Sequence, residues 1–438
     1  MLTWLVLVYV VLLLVFGGGG TPAPISELIC QVLAGLALTG WVALRGPEQL
    51  RGAKPMWWSI ALIMVIPLLQ LIPLPPALWQ ALPGRDLLRD SLALVGAEQT
   101  WHPLSIAPQR TLEGLLALLP PLLAMVMTAS LTAAGRLTLL RVIAAFTLLS
   151  VTVGAGQLAS AGDGPLQFYI GSDTGVLTGF QANRNAQVDV LLIGLVALVA
   201  AWPEQAGRSR AALAALGALA LLLLLGAFLT GSRAGIALIP LTLGWCLYLV
   251  RDKQLSQSAL FRLRNLAFAA AISLGAAAAA WQTRPVQQVL RRFDFSGEYR
   301  PDIWRDTLYA ISQYWPVGSG LGTFTRVIGP AERLEAIGPV LPNRAHNEYL
   351  ELLLEGGLPL SLAWAGVAAV ALLALVRALR GGTAVPRSHA VFTAGTLTIV
   401  TLHSLVDYPF RSMALAGLVG VAAALVLVPP TRSGNLKS

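Results

Sequence analysis

Charge is what this chain has least of. Asp, Glu, Lys and Arg together make up 12% of its 438 residues, about half the share that a soluble chain of this size carries. Cysteine is scarce as well. Cys30 and Cys246 are the only two, both lie inside apolar runs, and neither belongs to a Cys-x-x-Cys pair; they read as packing residues rather than as a disulfide or a metal knuckle. There are four histidines and no His-Glu-x-x-His motif, Asp-x-Asp pair or Cys/His cluster. The sequence therefore carries no recognisable metal or cofactor motif, and the chemistry is expected to need neither. The formal net charge of +9 would suit a nucleic-acid partner. Its basic residues are instead scattered between apolar runs, so nucleic acid is excluded and membrane topology is the better account.

What is abundant is hydrocarbon. Hydrophobic residues reach 56% and the mean hydropathy is +0.71. Apolar stretches long enough to cross a bilayer, about 20 residues each, recur from end to end. The expected fold class is an all-α polytopic membrane protein with about twelve spans. They are placed near 1–16, 25–44, 56–74, 111–131, 137–159, 185–202, 211–230, 232–250, 265–283, 358–379, 389–408 and 411–429. The first run has no basic flank before it and no Ala-x-Ala-like site after it, which reads as a retained span. Placing the N-terminus in the cytoplasm assigns about half of the 30 Lys and Arg residues to short inner loops, with only Glu48, Glu204 and Asp252 among the acids. That bias obeys the positive-inside rule and puts both termini inside. The chain then divides into N-terminal helices with a first outer loop (1–110), central helices (111–283), a long outer loop (284–346), C-terminal helices (347–429) and a tail (430–438).

A loop of roughly sixty residues is too long for a bare connection. Val286, Val289, Leu290 and Phe293 mix with Arg291 and Arg292, and Ile303, Leu308, Ile311 and Trp315 recur at near-helical spacing, which predicts helices lying on the outer membrane face. The "GSGLG" at 318–322 is a turn-rich break, weak as a phosphate loop without the Lys-Ser/Thr ending.

Four polar constellations collect on the outer side, where charge next to the membrane defaults to a functional hypothesis. "TGSRAG" at 230–235 puts Arg233 at a span mouth, as a snorkelling residue or as a fixed cation for an anionic ligand. "NRN" at 183–185 brings Arg184 together with a helix cap by Asn183 or Asn185. "RPDIWR" at 300–305 holds Arg300 and Arg305, which either pair with Glu298, Asp302 or Asp306 or face a ligand. The last is "RAHNEYLELLLEGG" at 344–357. If helical, its Glu348, Glu351 and Glu355 form one acidic stripe, and His346 stands at its start. His102 and His389 lie elsewhere, and His403 is inside a span in "HSLVDYPF", so His346 is the best candidate base. Several outer arginines with one histidine suit transfer from a diphosphate-linked donor. Arginine binds diphosphate by planar charge-assisted hydrogen bonds and stabilises it as it leaves.

Taken in order, "NRN", "TGSRAG", Arg300 with Trp304, "GSGLGTF", "AHNEYLELLLEGGLPL" and "HSLVDYPF" resemble the bacterial O-antigen ligase/polymerase family over roughly residues 100 to 420. The resemblance implies a C-type glycosyltransferase-like fold in the bacterial inner membrane. It also implies a donor glycan on undecaprenyl diphosphate reached from the periplasmic side, and a lipid A–core or second glycan acceptor. His346 matches the family's base and Arg233 and Arg300 its diphosphate ligands, with Arg184 and Arg305 as further matches; Asn347 and Glu348 are expected to contact substrate. Known ligases of the family invert the anomeric centre. An O-antigen ligase is the first expectation, and an O-antigen or exopolysaccharide polymerase the alternative. A polysaccharide-lipid flippase, from a different class, expects midplane charges and related halves, and neither is evident. The glutamates stay open: they tune His346, bind acceptor sugar, or pair with loop arginines.

Overall fold

Runs of Leu, Ala and Val that meet hydrocarbon must satisfy their backbone polar groups internally, and here they do so as helices. The structure, a computed structural model, describes residues 1–20, 24–44, 50, 53–160, 164–169, 172–203, 209–252, 287, 299–338 and 341–430. The helices are α1 (Leu2–Phe16), α2 (Pro24–Ala43), α3 (Lys54–Gln70), α4 (Pro76–Trp79), α5 (Asp86–Ala93), α6 (Pro108–Ala129), α7 (Ala133–Ala159) and α8 (Arg184–Ala201). They continue as α9 (Arg210–Leu229), α10 (Arg233–Asp252), α11 (Arg300–Tyr314), α12 (Phe324–Ala331), α13 (Glu348–Leu379), α14 (Arg387–His403) and α15 (Met413–Leu427). Among the described residues seven, α2, α6, α7, α8, α9, α10 and α13, are long and apolar enough to cross a membrane; α1, α3 and α15 are apolar but shorter. The chain is a polytopic helical membrane protein. Every expected span overlaps a described helix except 265–283. That segment lies outside the described residues, together with Val286, Val289, Leu290, Arg291, Arg292, Phe293 and Glu298 of the long loop and the tail from 431.

α7, α9, α10 and α14 pack around α8, whose apolar stretch is 94% buried, and α1, α6 and α15 extend the same core. Small residues permit the close approaches: a Cβ on Gly194 would overlap Thr147 of α7, and one on Gly235 would overlap Val188. Helices that pack without a water-driven force depend on such contacts. Cys30 and Cys246 are free and buried, as packing residues should be.

Above one end of this bundle sits a cap with a small core of its own, built from Ile303, Ala310, Phe324, Val327, Ile328, Ala345 and Leu354. The helical stripe of α11 that faces inward is Ile303, Asp306, Thr307 and Ala310, whereas Leu308 and Trp315 are 55% and 45% exposed. Polar atoms explain the rotation relative to the apolar pattern: Arg333 draws Asp306 in at 2.6 Å, and Thr307 bonds its own helix at Ile303 O. The loop after α3 joins the same cap. Pro73–Leu74 (β1) pairs antiparallel with His102–Pro103 (β2), where a continued helix would meet Pro73 and Pro75. Buried Arg85 donates to Leu104 O and Gly318 O, and desolvation lowers its guanidinium to about 10.

α13 is two rods on a joint. The acidic stretch 348–356 is helical, as the stripe required, and runs into the membrane segment through Gly357, at φ 57° and ψ −154°. The upper rod's final carbonyls are taken by the 318–322 turn: Ser319 N donates to Leu354 O at 3.0 Å and Gly320 N to Glu355 O at 2.8 Å. Leu358 N donates to Pro316 O at 2.8 Å. "GSGLG" therefore caps a helix rather than cradling a phosphate. Gly357→Ala places a Cβ over Pro316 O in a backbone region open essentially to glycine alone, at a cost of about 1–3 kcal/mol. The expected outcome is a melting temperature several degrees lower in detergent; an unchanged value would show that the joint is not constrained.

Candidate active site

The cap and the bundle meet where α8, α10, α13 and α15 begin. Their N-terminal amides make this face electropositive before any side chain is counted. Asn183 caps α8, its side chain accepting from Asn185 N at 2.7 Å, one of the two caps that the "NRN" pattern allowed. Gly231 (φ 64°) turns the α9–α10 hairpin and Ser232 Oγ accepts from Gly235 N. Arg233 is thereby set half-buried in the first turn of α10 against α8.

His346 precedes the first turn of α13 with φ 49°, the one non-glycine residue at positive φ among those described. Its surroundings over-determine that conformation. Trp304 Nε1 donates to His346 O at 3.3 Å and Ala345 N to Glu351 Oε2 at 3.1 Å. Asn347 caps α13 by accepting from Tyr349 N and Leu350 N, and Glu348 N reaches Ser404 O at 2.9 Å. Strain held this way is characteristic of functional positions.

The ring of His346 lies against Tyr408, with centroids 5.0 Å apart, and edge-on to Tyr299. Its Nδ1 is 3.2 Å from Asp407 Oδ1, with the two side chains 12% and 5% exposed. Burial pushes the Asp407 carboxyl up, but the hydrogen bond from His346 and the neighbouring His403 and Arg300 outweigh it and hold the group below the usual carboxylate range. A carboxylate only accepts, so Nδ1 donates and Nε2 is left as the acceptor. The result is a histidine–aspartate dyad in which the carboxylate orients the ring.

The acidic stripe answers to a residue that the sequence pattern did not single out. Arg411, in the turn before α15, meets Glu348 at 2.9 Å, Glu355 at 3.0 Å and Glu351 at 3.4 Å. Arg344 also meets Glu351 at 2.9 Å, and Phe324 N donates to Glu355 Oε1. The three surrounding acids outweigh the burial cost and raise the Arg411 guanidinium further above its ordinary value. Of the three alternatives for the glutamates, the pairing one describes this geometry, with Arg411 as the main partner and Arg344 joining it from the long loop. Three carboxylates face two guanidiniums among the described residues, where Glu348 Oε2 is buried with no partner.

The other expected residues fall as follows. Arg184 pairs with Asp173 at 2.9 Å. Asp302 and Asp306 pair with Arg333, and Glu298, the third acid offered for Arg300 and Arg305, lies outside the described residues. Arg300 acts electrostatically on Asp407, and Arg305 is exposed. Asn347 uses its amide as a cap and as a donor to Leu405 O at 2.9 Å. Beside the Glu–Arg cluster, a cavity of about 400 Å³ runs between α2, α3, α6, α13 and α15. Arg110, Glu113, Arg344, Glu348 and Arg411 line its polar end, and His346, Arg233 and Arg300 are not in its wall. The residues missed from sequence were Asp407, Arg411 and Arg344. A usable signal existed: three glutamates on one helical face beside a membrane require buried cations, and Arg411 follows directly on the "HSLVDYPF" motif.

Residues 218–365, which contain Arg233, Arg300, Arg305 and His346, match the model of a family described as O-antigen ligase. Over that segment the chain is similar to the O-antigen ligase family. The match supports glycan ligase or polymerase-type function for it. No curated protein matches the chain.

Removing Arg411 leaves three buried carboxylates to Arg344 alone. Breaking a buried ion cluster by one partner costs about 3–5 kcal/mol. Arg411→Ala is expected to abolish accumulation of folded protein. Arg411→Lys, which lacks the planar fork, is expected to recover it only partly, as read by fluorescence-detected size exclusion. Wild-type behaviour of Arg411→Ala would show that the cluster is not structural.

Proposed function

We propose that this chain is an O-antigen ligase. In this reading it transfers a polysaccharide from undecaprenyl diphosphate to a lipid A–core hydroxyl at the periplasmic face of a bacterial inner membrane, across a bundle of about twelve spans. The observation that carries the reading is the His346–Asp407 dyad at the face where α8 and α13 begin. His346 Nε2 takes the proton from the acceptor hydroxyl as that oxygen attacks the anomeric carbon. The bond from that carbon to the diphosphate oxygen breaks, and the charge developing on the leaving group is met by Arg233 and Arg300. Attack opposite the departing diphosphate inverts the anomeric centre. Arg184 and Arg305 stand at the edge of the donor site, and Asn347 and Glu348 on the acceptor side. No metal or cofactor takes part.

Ligase and polymerase form the same kind of bond, so the acceptor distinguishes them. The polymerase alternative joins one lipid-linked repeat to another.

The test is transfer by purified protein with undecaprenyl-diphosphate glycan. His346→Ala is expected to lose the 10²–10⁴-fold that general base catalysis supplies while still inserting and accumulating; normal transfer by it would remove the base assignment. Arg233→Ala and Arg300→Ala are each expected to weaken donor use strongly, and wild-type kinetics for both would end the diphosphate model. Chelator is expected to change nothing. In a deletion strain, loss of all glycan from core lipid identifies the ligase, whereas single-repeat caps without long chains identify the polymerase.

A further inference from the structure

Asp407 is held from two directions, and only one has a place in the mechanism above. On the cap side, Glu348 N donates to Ser404 O and to Asp407 O at 2.9 and 3.2 Å, and Asn347 Nδ2 donates to Leu405 O. The turn 403–407 is thus stitched to the segment that carries His346. On the bundle side, the same turn ends on a second histidine–aspartate pair. His403 Nδ1 lies 2.6 Å from Asp189 Oδ1 on α8, and both side chains are 1% exposed. His403 O accepts from Asp407 N at 2.9 Å, so the two residues are one helical turn apart and backbone-linked. Among the described residues His403 Nε2 and Asp189 Oδ2 have no partner. The Nδ1–Oδ1 contact is there the whole of the pair's side-chain hydrogen bonding.

A buried pair of this kind adds little stability over apolar groups of the same size. What it does add is a fixed direction: a single short hydrogen bond to the most buried helix of the bundle.

We propose that Asp189 and His403 are a positioning pair for the transfer reaction, pinning the 403–407 turn to α8 so that Asp407 Oδ1 meets His346 Nδ1. The proposal rests on His346 being the base. Neither residue touches substrate in this scheme.

The experiment compares four full-length variants in the purified transfer assay. Asp189→Leu/His403→Leu replaces the pair by hydrocarbon. It is expected to fold, to keep the donor KM within about twofold, and to lose on the order of 10²-fold in kcat per folded enzyme, the cost of a misplaced catalytic group. His403→Asn keeps a donor at the Nδ1 place and is expected to retain activity within about threefold. Wild-type kcat in the double variant, a loss that merely follows the folded fraction, or a loss beyond tenfold in well-folded His403→Asn would each overturn the proposal. Should the double variant fail to accumulate, Asp189→Asn, which keeps the acceptor oxygen and is expected to behave like His403→Asn, is read with it under the same criteria. His346→Ala runs alongside: activity in that variant defeats the base assignment, while an inactive His346→Ala beside an unaffected double variant defeats the positioning pair alone.

Discussion

The Arg411 guanidinium is the interaction on which the rest of the cap depends. Its nitrogens reach carboxylates on three successive turns of one helix, so it ties the 409–411 turn, the start of α15 and the upper rod of α13 into one body. Lysine offers a single ammonium and could not span that distance in a plane. Such a cluster is poor as a source of net stability, because desolvating five charged groups offsets most of their attraction. Its value lies in registry. The glutamates fix the rotation of the rod about its own axis, and with it the direction in which the preceding histidine leaves the helix.

From that registry follows the left-handed backbone at His346. A β-carbon-bearing residue adopts φ near 50° only when its neighbours allow no alternative. Here the neighbours are the cap of Asn347, the carbonyl contact from Trp304 and the Glu351 bond to Ala345 N. Asn347 and Glu351 belong to the start of α13 itself and Trp304 to α11, so the conformation combines local capping with one tertiary contact from the cap. Pre-organisation of this sort limits the reorganisation needed when a proton moves.

How far the sequence could be read follows the same division. Helices were legible because the hydrocarbon run is a local property, and their ends fell within a few residues wherever a cap such as Asn183 or a proline marked them. α3 was read too long, since hydropathy continues through Leu74 while Pro73 and Pro75 forbid the helix. α14 was read too long for the mirror reason: "HSLVDYPF" is apolar enough to extend a span, yet its backbone turns after His403 to present Asp407. His346 was legible as a scarce titratable group on a membrane face. Its partner was not, because a distance of 61 positions along the chain hides a contact of 3.2 Å. The glutamates were correctly seen as one stripe. The residue opposite a stripe is set by tertiary packing, and one sequence does not contain that information in local form.

The joint at Gly357 has a mechanical consequence. A rod that crosses a bilayer tilts as the hydrocarbon thickness changes, and a rigid helix would carry that tilt to its far end as a displacement growing with length. In α13 the bend at Gly357 is held by the cap on both sides: Leu358 N of the lower rod donates to Pro316 O, and the Leu354 and Glu355 carbonyls of the upper rod accept from Ser319 N and Gly320 N. The direction in which the imidazole is aimed is thereby set by the cap rather than by a straight continuation of the membrane-crossing rod.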